Sequence, residues 1–553
     1  MRNLKYPFLF IIAFVSLGAF AQPELEEQQN ADFEILKNLE LFELVYKNVD
    51  LNYVDEPNPG ELMKAAIDAM LYELDPYTTY IPESRIEDFK LMATGQYGGI
   101  GAIIRQNEDQ VIIVDPHEGF PAQKNGLKAG DIFLEIDGKD LEGLTSSEVS
   151  EKLKGKPGTD LTIKVDRNGE KISVKLTREE IKFSPVPYYG MLNENVGYIK
   201  LTSFTKTAGA DVMEAFTSLA GSQGMKKLVF DLRGNGGGLV VEAVKIVNMF
   251  VDKGTEIVSI KGRDESVNKT YTAQMKPMDT KMPLVVLVDG NSASASEIVS
   301  GALQDLDRAV IIGQTSFGKG LVQRPLDLKY NAKIKVTIAK YYTPSGRCIQ
   351  KLDYTNREVG DNADEISDSL LNKFQTLNGR EVIDGRGVEP DVKVDKLELS
   401  ILTSTIVLKN ILFDYATKFE REHPSIGKPQ EFKVTDDIYN DFVAYVTAQD
   451  FEYTTVSLEM AKELEKAAQD ENSYADASAE FEALMEKLKP SKEKDLEKYK
   501  SEIIPILEDE IIGRYYFQKG RIEHGLVEDE FIREAIEILN DSERYKQVLN
   551  LEN

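Results

Sequence analysis

Residues 284–313 read LVVLVDGNSASASEIVSGALQDLDRAVIIG, and this stretch decides the fold of the central part of the chain. Leu284–Val288 is an unbroken apolar run, which is typical of a strand buried on both faces. A Ser-rich turn follows, then Ser294–Leu306 has the pattern of a helix, and Ala309–Gly313 is a second apolar strand. Strand, helix and strand in this order predict an α/β core.

The same alternation extends over residues 181–400. It predicts strands at Val196–Leu201 and Lys227–Asp231, which are followed by helices at Lys206–Ala220 and Val241–Phe250. We therefore expect the α/β core to span the whole of this region.

Short strands and glycines occupy residues 94–180. Tyr97–Gly101 reads YGGIG and leads into a strand, and Gly126–Asp131 reads GLKAGD. A Gly-rich loop can direct backbone N–H groups at a peptide's terminal carboxylate, and the peptide then extends the neighbouring strand edge. The alternative is that these glycines only form turns. With both motifs in this order the segment resembles a PDZ domain, and the residues expected to bind peptide are Tyr97, Gly98, Gly99, Ile100 and Gly101.

The two ends of the chain read as helical. Apolar residues at helical spacing predict helices in residues 22–93, and amphipathic, charged sequence predicts a helical C-terminal domain over residues 401–553. A solvated helix face is the simpler interpretation of any single charge run there. Acidic residues outnumber basic ones by 94 to 66, giving a net charge of -28. No basic tract stands out against that charge, so nucleic acid is not an expected partner.

Residues 1–21 have the pattern of a signal peptide. A short basic start precedes the apolar Pro7–Phe20, and Ala19–Ala21 fits a cleavage site, so the mature chain is expected to start near Gln22. The apolar run is short for a membrane span, so no stable span is expected after cleavage, and an uncleaved anchor is the alternative. The single cysteine, Cys348, can form no intramolecular disulfide. Export without disulfides fits a periplasm.

Ser294 is the candidate nucleophile in the Ser-rich turn. With Glu297 three positions later it forms a capping box, and the simpler interpretation is that Ser294 only caps the helix. A nucleophile at a helix start gains a further advantage, because the N–H of Ala295 can stabilise a developing oxyanion. Ser292 and Ser296 are the rival serines, and neither stands three residues before Glu297.

The candidate base is a lysine. The three histidines, His117, His423 and His524, all lie outside the α/β region, which makes a Ser–His–Asp triad improbable. Lys319 lies 25 positions after Ser294 in a loop that follows the second strand. A lysine acts as a base only when its pKa falls, and burial of the amine would lower it. Gln323 could hydrogen-bond the amine and orient it.

Two glycine-rich turns allow other interpretations. Gly313–Gly320 reads GQTSFGKG and nearly matches a phosphate-binding loop, but Gly320 stands where that loop needs a hydroxyl. Gly234–Gly238 reads GNGGG after the strand Lys227–Asp231. It is either a permissive connection or a turn that approaches substrate closely, with the N–H of Gly237 as second oxyanion donor.

These motifs together resemble the C-terminal processing peptidases, the tail-specific proteases of serine peptidase family S41. The matching motifs are DPY at 75–77, YGGIG at 97–101, DLRGNGGG at 231–238, SASASE at 292–297, FGKG at 317–320, YYTPSGR at 341–347 and GVEPD at 387–391. The resemblance implies a ClpP/crotonase-like core, with Ser294 as nucleophile, Lys319 as general base and Gln323 as its orienting partner. It also implies a PDZ domain that recognises substrate C-termini, and no metal or cofactor is expected.

The sequence thus predicts an exported serine endopeptidase of multidomain α+β fold. It would capture protein C-termini in its PDZ domain and cleave through an acyl-enzyme. The alternative is a non-catalytic PDZ scaffold that binds C-terminal tails. Residues 351–380 lengthen one connection with no assignable chemistry, and the helices after residue 400 could dock an adaptor or mediate self-association.

Overall fold

The computed structural model describes residues 22–355, 360, 362–395 and 398–551. The predicted signal peptide, residues 1–21, lies outside these described residues. The chain divides into two compact units, residues 1–80 and 81–553. Within the described ranges, none of the helices combines the length and the apolar character that a membrane span requires.

The first unit holds the helices Gln22–Asn52 and Pro59–Tyr72, which confirms that its fold is helical. Asn58 caps the second helix, because its side chain accepts hydrogen bonds from backbone N–H groups of the first turn. Beyond this helix the carboxylate of Asp75 accepts a hydrogen bond from the N–H of Thr78 at 2.7 Å. That bond closes the turn at the DPY motif.

The PDZ-like segment in the second unit folds as one antiparallel sheet with two helices. In sheet order its strands are Ala102–Asn107, Gln110–Pro116, Ile132–Ile136, Asp160–Arg167 and Glu170–Thr177, and a short strand, Lys139–Asp140, pairs with the third. Its helices are Pro121–Lys124 and Ser146–Leu153. Ile113, Val149 and Ile163 are fully buried in its core. Among the residues that the structure describes, the first strand pairs with a neighbouring strand on one side, and its other side is an edge of the sheet.

The expected glycine loop at Tyr97–Gly101 is wrong in its first half. Gln96–Gly99 is a strand that pairs antiparallel with Glu179–Lys182. A Cβ on Gly98 would lie 2.1 Å from the carbonyl oxygen of Gly155, so only glycine fits at this position of the strand. The glycine therefore lets two backbones approach each other, and only Ile100 and Gly101 remain outside the strands.

The α/β core is built on a six-stranded sheet. Its strand order is Tyr188–Met191, Val196–Lys200, Lys227–Asp231, Leu284–Val288, Val310–Gly313 and Val392–Lys393. The first pair is antiparallel and the remaining pairs are parallel. The helices Ala208–Ser222, Val240–Asn248 and Ala295–Asp305 share one hydrophobic core with this sheet. The carboxyl ends of the parallel strands meet at one edge, which is where such sheets place their sites.

A second, antiparallel sheet and a long insertion complete the core. The strands that pair in this sheet are Glu256–Gly262, Lys269–Thr272, Leu321–Asp327 and Lys333–Tyr342. The segment 351–380 and its continuation form two small hairpins, Leu352–Asp353 with Asp364–Glu365 and Lys373–Gln375 with Glu381–Ile383. Arg380 attaches the second hairpin to the core through Asp307, at 2.6 Å.

The C-terminal region is helical, as predicted. Its helices are Ile401–Leu408, Ile411–Glu422, Asp436–Thr447, Val456–Asp470, Tyr474–Leu488, Lys492–Lys498, Lys500–Glu528, Glu530–Asn540 and Ser542–Val548. The last two do not pack as part of a separate bundle. Ile532, Ala535 and Ile538 are buried against side chains of the six-stranded sheet, including Val229 and Leu287. The end of the helical region thus forms part of the core of the α/β domain.

Candidate active site

Ser294 stands at the sharp turn between the strand Leu284–Val288 and the helix Ala295–Asp305. Its φ of 56° and ψ of -109° are unusual for a residue with a Cβ. Such a conformation costs on the order of 1–3 kcal/mol and persists only where the surroundings impose it. A strained strand-to-helix turn of this kind presents a serine hydroxyl at the edge of a sheet, next to the N–H of the following residue.

The rival serines are buried and already bonded. Ser292 and Ser296 are both completely buried, whereas Ser294 is partly exposed. The hydroxyl of Ser292 donates to the carbonyl oxygen of Leu232 at 2.9 Å, and that of Ser296 donates to Asn235 at 2.8 Å. Of the three serines in the turn, Ser294 alone combines solvent access with a strained backbone.

Glu297 joins the serine turn to the lysine loop. One carboxylate oxygen, Oε2, accepts the backbone N–H of Ser294 at 2.7 Å and that of Lys319 at 2.9 Å. The other oxygen accepts the N–H of Gly318 at 2.7 Å and the hydroxyl of Ser316 at 2.5 Å. A single side chain therefore fixes the main chains of Ser294 and Lys319 to each other, although 25 positions separate them in sequence.

Glu297 is fully buried, and four hydrogen bonds offset part of the cost of burying its charge. Burial raises the pKa of Glu297, and hydrogen bonds from Ser316, Lys319, Gly318 and Ser294 act in the opposite direction. The net pKa lies above its usual range. The predicted role of Glu297 as partner of Ser294 in the cap was correct, but its larger role in holding the lysine loop was not anticipated.

Glycines on both sides of Lys319 let its loop pack tightly. A Cβ on Gly318 would lie 2.4 Å from Cβ of Lys351, and one on Gly320 would lie 2.8 Å from the backbone nitrogen of Gln350. The sequence suggested a phosphate loop here as an alternative. The N–H groups of Gly318 and Lys319, which a phosphate would need, donate to the carboxylate of Glu297 instead.

Tyr341 is a site residue that the sequence did not single out. Its buried hydroxyl lies 3.0 Å from the carbonyl oxygen of Ser294 and 2.5 Å from that of Lys319. It thus touches the same two residues as Glu297, but at their carbonyl groups. The signal was present in the YYTPSGR motif, whose first residue is this tyrosine.

The glycine-rich turn lies directly against Ser294. A Cβ on Gly237 would come within 2.9 Å of Cβ of Ser294 and 3.0 Å of the backbone nitrogen of Ala295. The N–H of Gly237 donates to Oδ1 of Asn235 at 2.9 Å in this structure, and its expected role as an oxyanion donor stays a prediction. The side chain of an asparagine bonds readily to the backbone two residues on, and this local bond takes the donor.

Asn235 ties the glycine-rich turn to the serine turn. Its carbonyl oxygen accepts the N–H of Ala293 at 3.0 Å as well as the hydroxyl of Ser296. Its side-chain nitrogen donates to Leu201 at 2.9 Å, and Asn235 is completely buried. The two turns therefore form one bonded assembly around Ser294.

A buried charge network begins the glycine-rich turn. Asp231 is fully buried and accepts hydrogen bonds from Tyr198 at 2.7 Å, Lys200 at 3.3 Å and Arg233 at 2.7 Å. Burial acts to raise the pKa of Asp231, but the charges of Arg233 and Lys200 hold the pKa well below its usual range. The network fixes the end of the strand Lys227–Asp231 from which the turn departs.

Two further predictions have different outcomes. Gln323 lies on the strand Leu321–Asp327, where its side-chain nitrogen donates to Thr337 at 3.2 Å, and its bond to the Lys319 amine stays a prediction. The histidines lie outside the six-stranded sheet, as expected. His524, for example, is bonded to Glu508 at 3.0 Å within the helical region.

The strand Ala102–Asn107 follows the segment Tyr97–Gly101 that was predicted to bind peptide, and the helix Ser146–Leu153 contacts this strand. The N–H of Ser146 donates to the side chain of Gln106 at 2.8 Å, which joins the helix to the strand. At the start of that segment the ring of Tyr97 folds over Gly99, whose Cβ position lies 2.5 Å from that ring.

Tyr97 begins the segment that was expected to bind peptide. Burial raises the pKa of Tyr97, and hydrogen bonding with the backbone of Gly101 and Ala102 acts in the opposite direction.

Comparison with known families gives matches to three segments of the second unit. The family model described as "Peptidase family S41" matches residues 195–357, and the family model described as "PDZ domain" matches residues 98–177. A third, "Probable PDZ-protease, C-terminal helical domain", matches residues 402–539. The class is therefore that of the peptidases that carry a PDZ domain and a helical C-terminal domain.

Named relatives agree with this class. A "Carboxy-terminal-processing protease" of Bartonella bacilliformis is 36% identical over 331 residues, which are 59% of this chain and 76% of the relative. A "Probable CtpA-like serine protease" of Staphylococcus aureus is 33% identical over 403 residues, 72% of this chain and 78% of the relative. The solved "photosystem II D1 C-terminal processing protease" is 29% identical, with 64% of this chain and 92% of that chain covered at a TM-score of 0.36. The chain belongs to peptidase family S41, among the carboxy-terminal processing proteases.

Proposed function

We propose that this peptidase is a serine endopeptidase in which Ser294 is the nucleophile and Lys319 the general base. The observation that carries the proposal is the bonding of Glu297, whose Oε2 accepts the N–H of both residues, at 2.7 and 2.9 Å. A carboxylate with four donors in a fully buried position has little freedom to move. The strained backbone of Ser294 supports the same assignment, because such outliers cluster at active sites.

The proposed reaction is acyl transfer. Lys319 takes the proton of the Ser294 hydroxyl as the oxygen attacks the peptide carbonyl, and then gives it to the leaving amine. Water, deprotonated by the same amine, releases the acyl group and restores the serine. The N–H of Ala295 is the proposed oxyanion donor, since it stands at the start of the helix next to Ser294. Gln323 is the proposed orienting partner of the lysine.

The glycine-rich turn is the proposed source of a second oxyanion donor. The N–H of Gly237 can take this role only if Asn235 releases it, because the two are bonded at 2.9 Å in this structure. Replacing Asn235 by Ala therefore changes two things at once. The Gly237 N–H is freed, but the bond that the Asn235 side chain donates to Leu201 at 2.9 Å, which helps to hold the turn, is lost. We expect a lower kcat, because the position of the turn matters more than one free donor.

The test of the catalytic pair uses the full chain and an unfolded protein substrate such as casein. Ser294→Ala is expected to remove hydrolysis, and Lys319→Ala to lower kcat at neutral pH by at least about a hundredfold. The matched control is Lys351→Ala, which removes a lysine paired with Glu365 near the same loop. Hydrolysis that persists in Ser294→Ala would assign the activity to another group, whereas a wild-type chain that binds C-terminal peptides but does not hydrolyse casein would favour the non-catalytic PDZ scaffold.

We also propose that the PDZ domain binds the C-termini of substrate proteins. The free edge of the strand Ala102–Asn107 supports addition of a peptide as a further strand. The carboxylate of the peptide would meet backbone N–H groups of the segment Tyr97–Gly101. A peptide with a free C-terminus is expected to bind more tightly than the same peptide amidated, as measured by fluorescence anisotropy. Equal affinity would rule out carboxylate recognition.

Export to the periplasm is part of the proposal and rests on residues 1–21, whose pattern is that of a signal peptide. N-terminal sequencing of the protein recovered from its host is expected to start near Gln22. Recovery of a chain that begins at Met1 would refute cleavage. Binding of an adaptor, or self-association through the C-terminal helices, stays a prediction.

A further inference from the structure

The start of one C-terminal helix touches the glycine-rich turn. Oδ2 of Asp529 lies 2.8 Å from Nη2 of Arg233, and each of these side chains is only 17% exposed. The guanidinium also lies over the ring of Phe531, 4.8 Å from its centre. A paired charge and an aromatic face together fix a guanidinium more firmly than either does alone.

Arg233 transmits this contact toward the serine. Its Nη2 is shared between Asp529 and the buried carboxylate of Asp231, at 2.8 and 2.7 Å. The next residue, Gly234, donates its N–H to Asp289 at 2.9 Å, and the turn continues to Asn235, which is bonded to the serine turn. The guanidinium of Arg233 therefore fixes the start of the glycine-rich turn, and this turn contacts Ser294.

The same helix start also supports the lysine loop. A Cβ on Gly313 would lie 3.1 Å from Cε1 of Phe531, so the ring packs against the backbone at which that loop begins. Asp529 additionally caps its own helix by accepting the N–H groups of Phe531 and Ile532, at 2.9 and 3.3 Å. Asp529 and Phe531 at this helix start thus contact the glycine-rich turn beside the proposed nucleophile and the loop that carries the proposed base.

We propose that Asp529 and Phe531 are positioning residues of the peptidase reaction, acting through the contact of Asp529 and Phe531 with Arg233 and of Phe531 with Gly313. The end of the C-terminal helical region then determines the rate of the chemical step. The ion pair between Asp529 and Arg233 fixes the orientation of the glycine-rich turn. The ring of Phe531 fixes the position of the lysine loop next to that turn. The proposal rests on the peptidase activity and on the placement of these turns around Ser294.

The test uses the role of Asp529 as the N-cap of its helix. Asp529→Asn removes the charge that faces Arg233 but keeps a side chain that caps helices well. Asp541→Asn is the matched control, because Asp541 caps the next helix in the same way, accepting from Glu543 and Arg544 at 3.1 and 3.0 Å. Both variants make the same chemical change in one segment of the chain, and only one of them alters the contact with the glycine-rich turn.

For Asp529→Asn we expect kcat on casein to fall about tenfold with KM within about twofold, as for an interaction that matters mainly in the transition state. Its melting temperature should match that of Asp541→Asn, whose kcat should equal that of the wild type. Phe531→Leu keeps the apolar packing and removes the ring, so it should also lower kcat, and it serves if Asp529→Asn fails to fold.

An unchanged kcat in Asp529→Asn, or an equal loss in Asp541→Asn, would overturn the proposal. If instead Ser294→Ala retained activity, the assignment of the nucleophile would fail, and the comparison of the two caps would still measure whether Asp529 affects whatever peptidase activity is present.

Discussion

Replacing Glu297 by Gln is the sharpest test of how the site is built. Its two oxygens accept four donors, the N–H groups of Ser294, Lys319 and Gly318 and the hydroxyl of Ser316. A glutamine keeps one oxygen and replaces the other by NH₂. In the better of the two orientations of the glutamine amide, its oxygen still accepts the N–H groups of Ser294 and Lys319. The hydroxyl of Ser316 can rotate to accept a hydrogen bond from the new NH₂ group. The N–H of Gly318 then faces that NH₂ group and loses its acceptor. A buried donor left unpaired costs about 1–3 kcal/mol, so we expect a loss of about 2 kcal/mol.

Hydrogen exchange followed by mass spectrometry measures this loss locally, in the helix Ala295–Asp305. A loss of about 2 kcal/mol in local opening raises the exchange rate about 30-fold. Because Gly318 adjoins Lys319, the lysine should also shift, and kcat/KM on casein should fall at least about tenfold. The control is Glu242→Gln, another buried glutamate of the same core, which accepts one backbone N–H, that of Gly209, at 3.0 Å. If Glu297→Gln changed neither exchange nor kcat/KM, this account of Glu297 would be refuted.

Three further predictions follow from strain, burial and protonation. Ser294→Gly should be more stable than Ser294→Ala by about 1 kcal/mol in thermal melts, because glycine accepts the positive φ without a Cβ clash; equal stability would show that the turn is unstrained. Asp305→Ala should lower the free energy of unfolding by about 3–5 kcal/mol. The reason is that the buried Arg347, which lies 2.8 Å from Asp305, loses its counter-charge. A loss under about 1 kcal/mol would contradict this. Hydrogen bonding to Glu508 raises the pKa of His524 above its usual 6.5, against the effect of burial. The charged ring thus stabilises the fold fully below pH 6.5 and progressively less as pH rises through the raised pKa, so the difference in melting temperature from His524→Gln should shrink over that range; a difference that grew with pH would contradict it.

Elements whose cause is local could be predicted from the sequence. The strands Lys227–Asp231 and Leu284–Val288 begin and end where predicted, because their continuous apolar runs leave no other register for a buried strand. The helix Ser146–Leu153 is also as predicted, since Thr145 and Glu148 form a complete capping box at its start.

Glycines were harder to interpret, because a glycine marks a close approach without saying what approaches. Gly98 was expected in a loop, yet it lies in a strand whose neighbour is the carbonyl of Gly155. Gly237 was expected to donate to substrate, yet its N–H is bonded to Asn235. In both cases the sequence correctly indicated a position where the backbone packs closely, but the group that it contacts depended on the tertiary fold.

Two contacts between segments far apart in the sequence could not be predicted. Asp529 and Arg233 are separated by almost 300 positions and meet only because the last helices pack on the six-stranded sheet. The hydroxyl of Tyr341 reaches Ser294 and Lys319 for a similar reason, since its strand pairs with the strand Leu321–Asp327 that follows the lysine loop. A single sequence carries no record of such pairs.

The measurement that tests the central claim most directly is covalent labelling of the serine. The full chain is treated with a fluorophosphonate, and the rate and position of the adduct are followed by mass spectrometry in the wild type, Lys319→Ala and Lys351→Ala. The account predicts one adduct, on Ser294, that forms at the same rate in the wild type and Lys351→Ala and at least about a hundredfold more slowly in Lys319→Ala. An adduct on another residue, or an unchanged rate in Lys319→Ala, would contradict it.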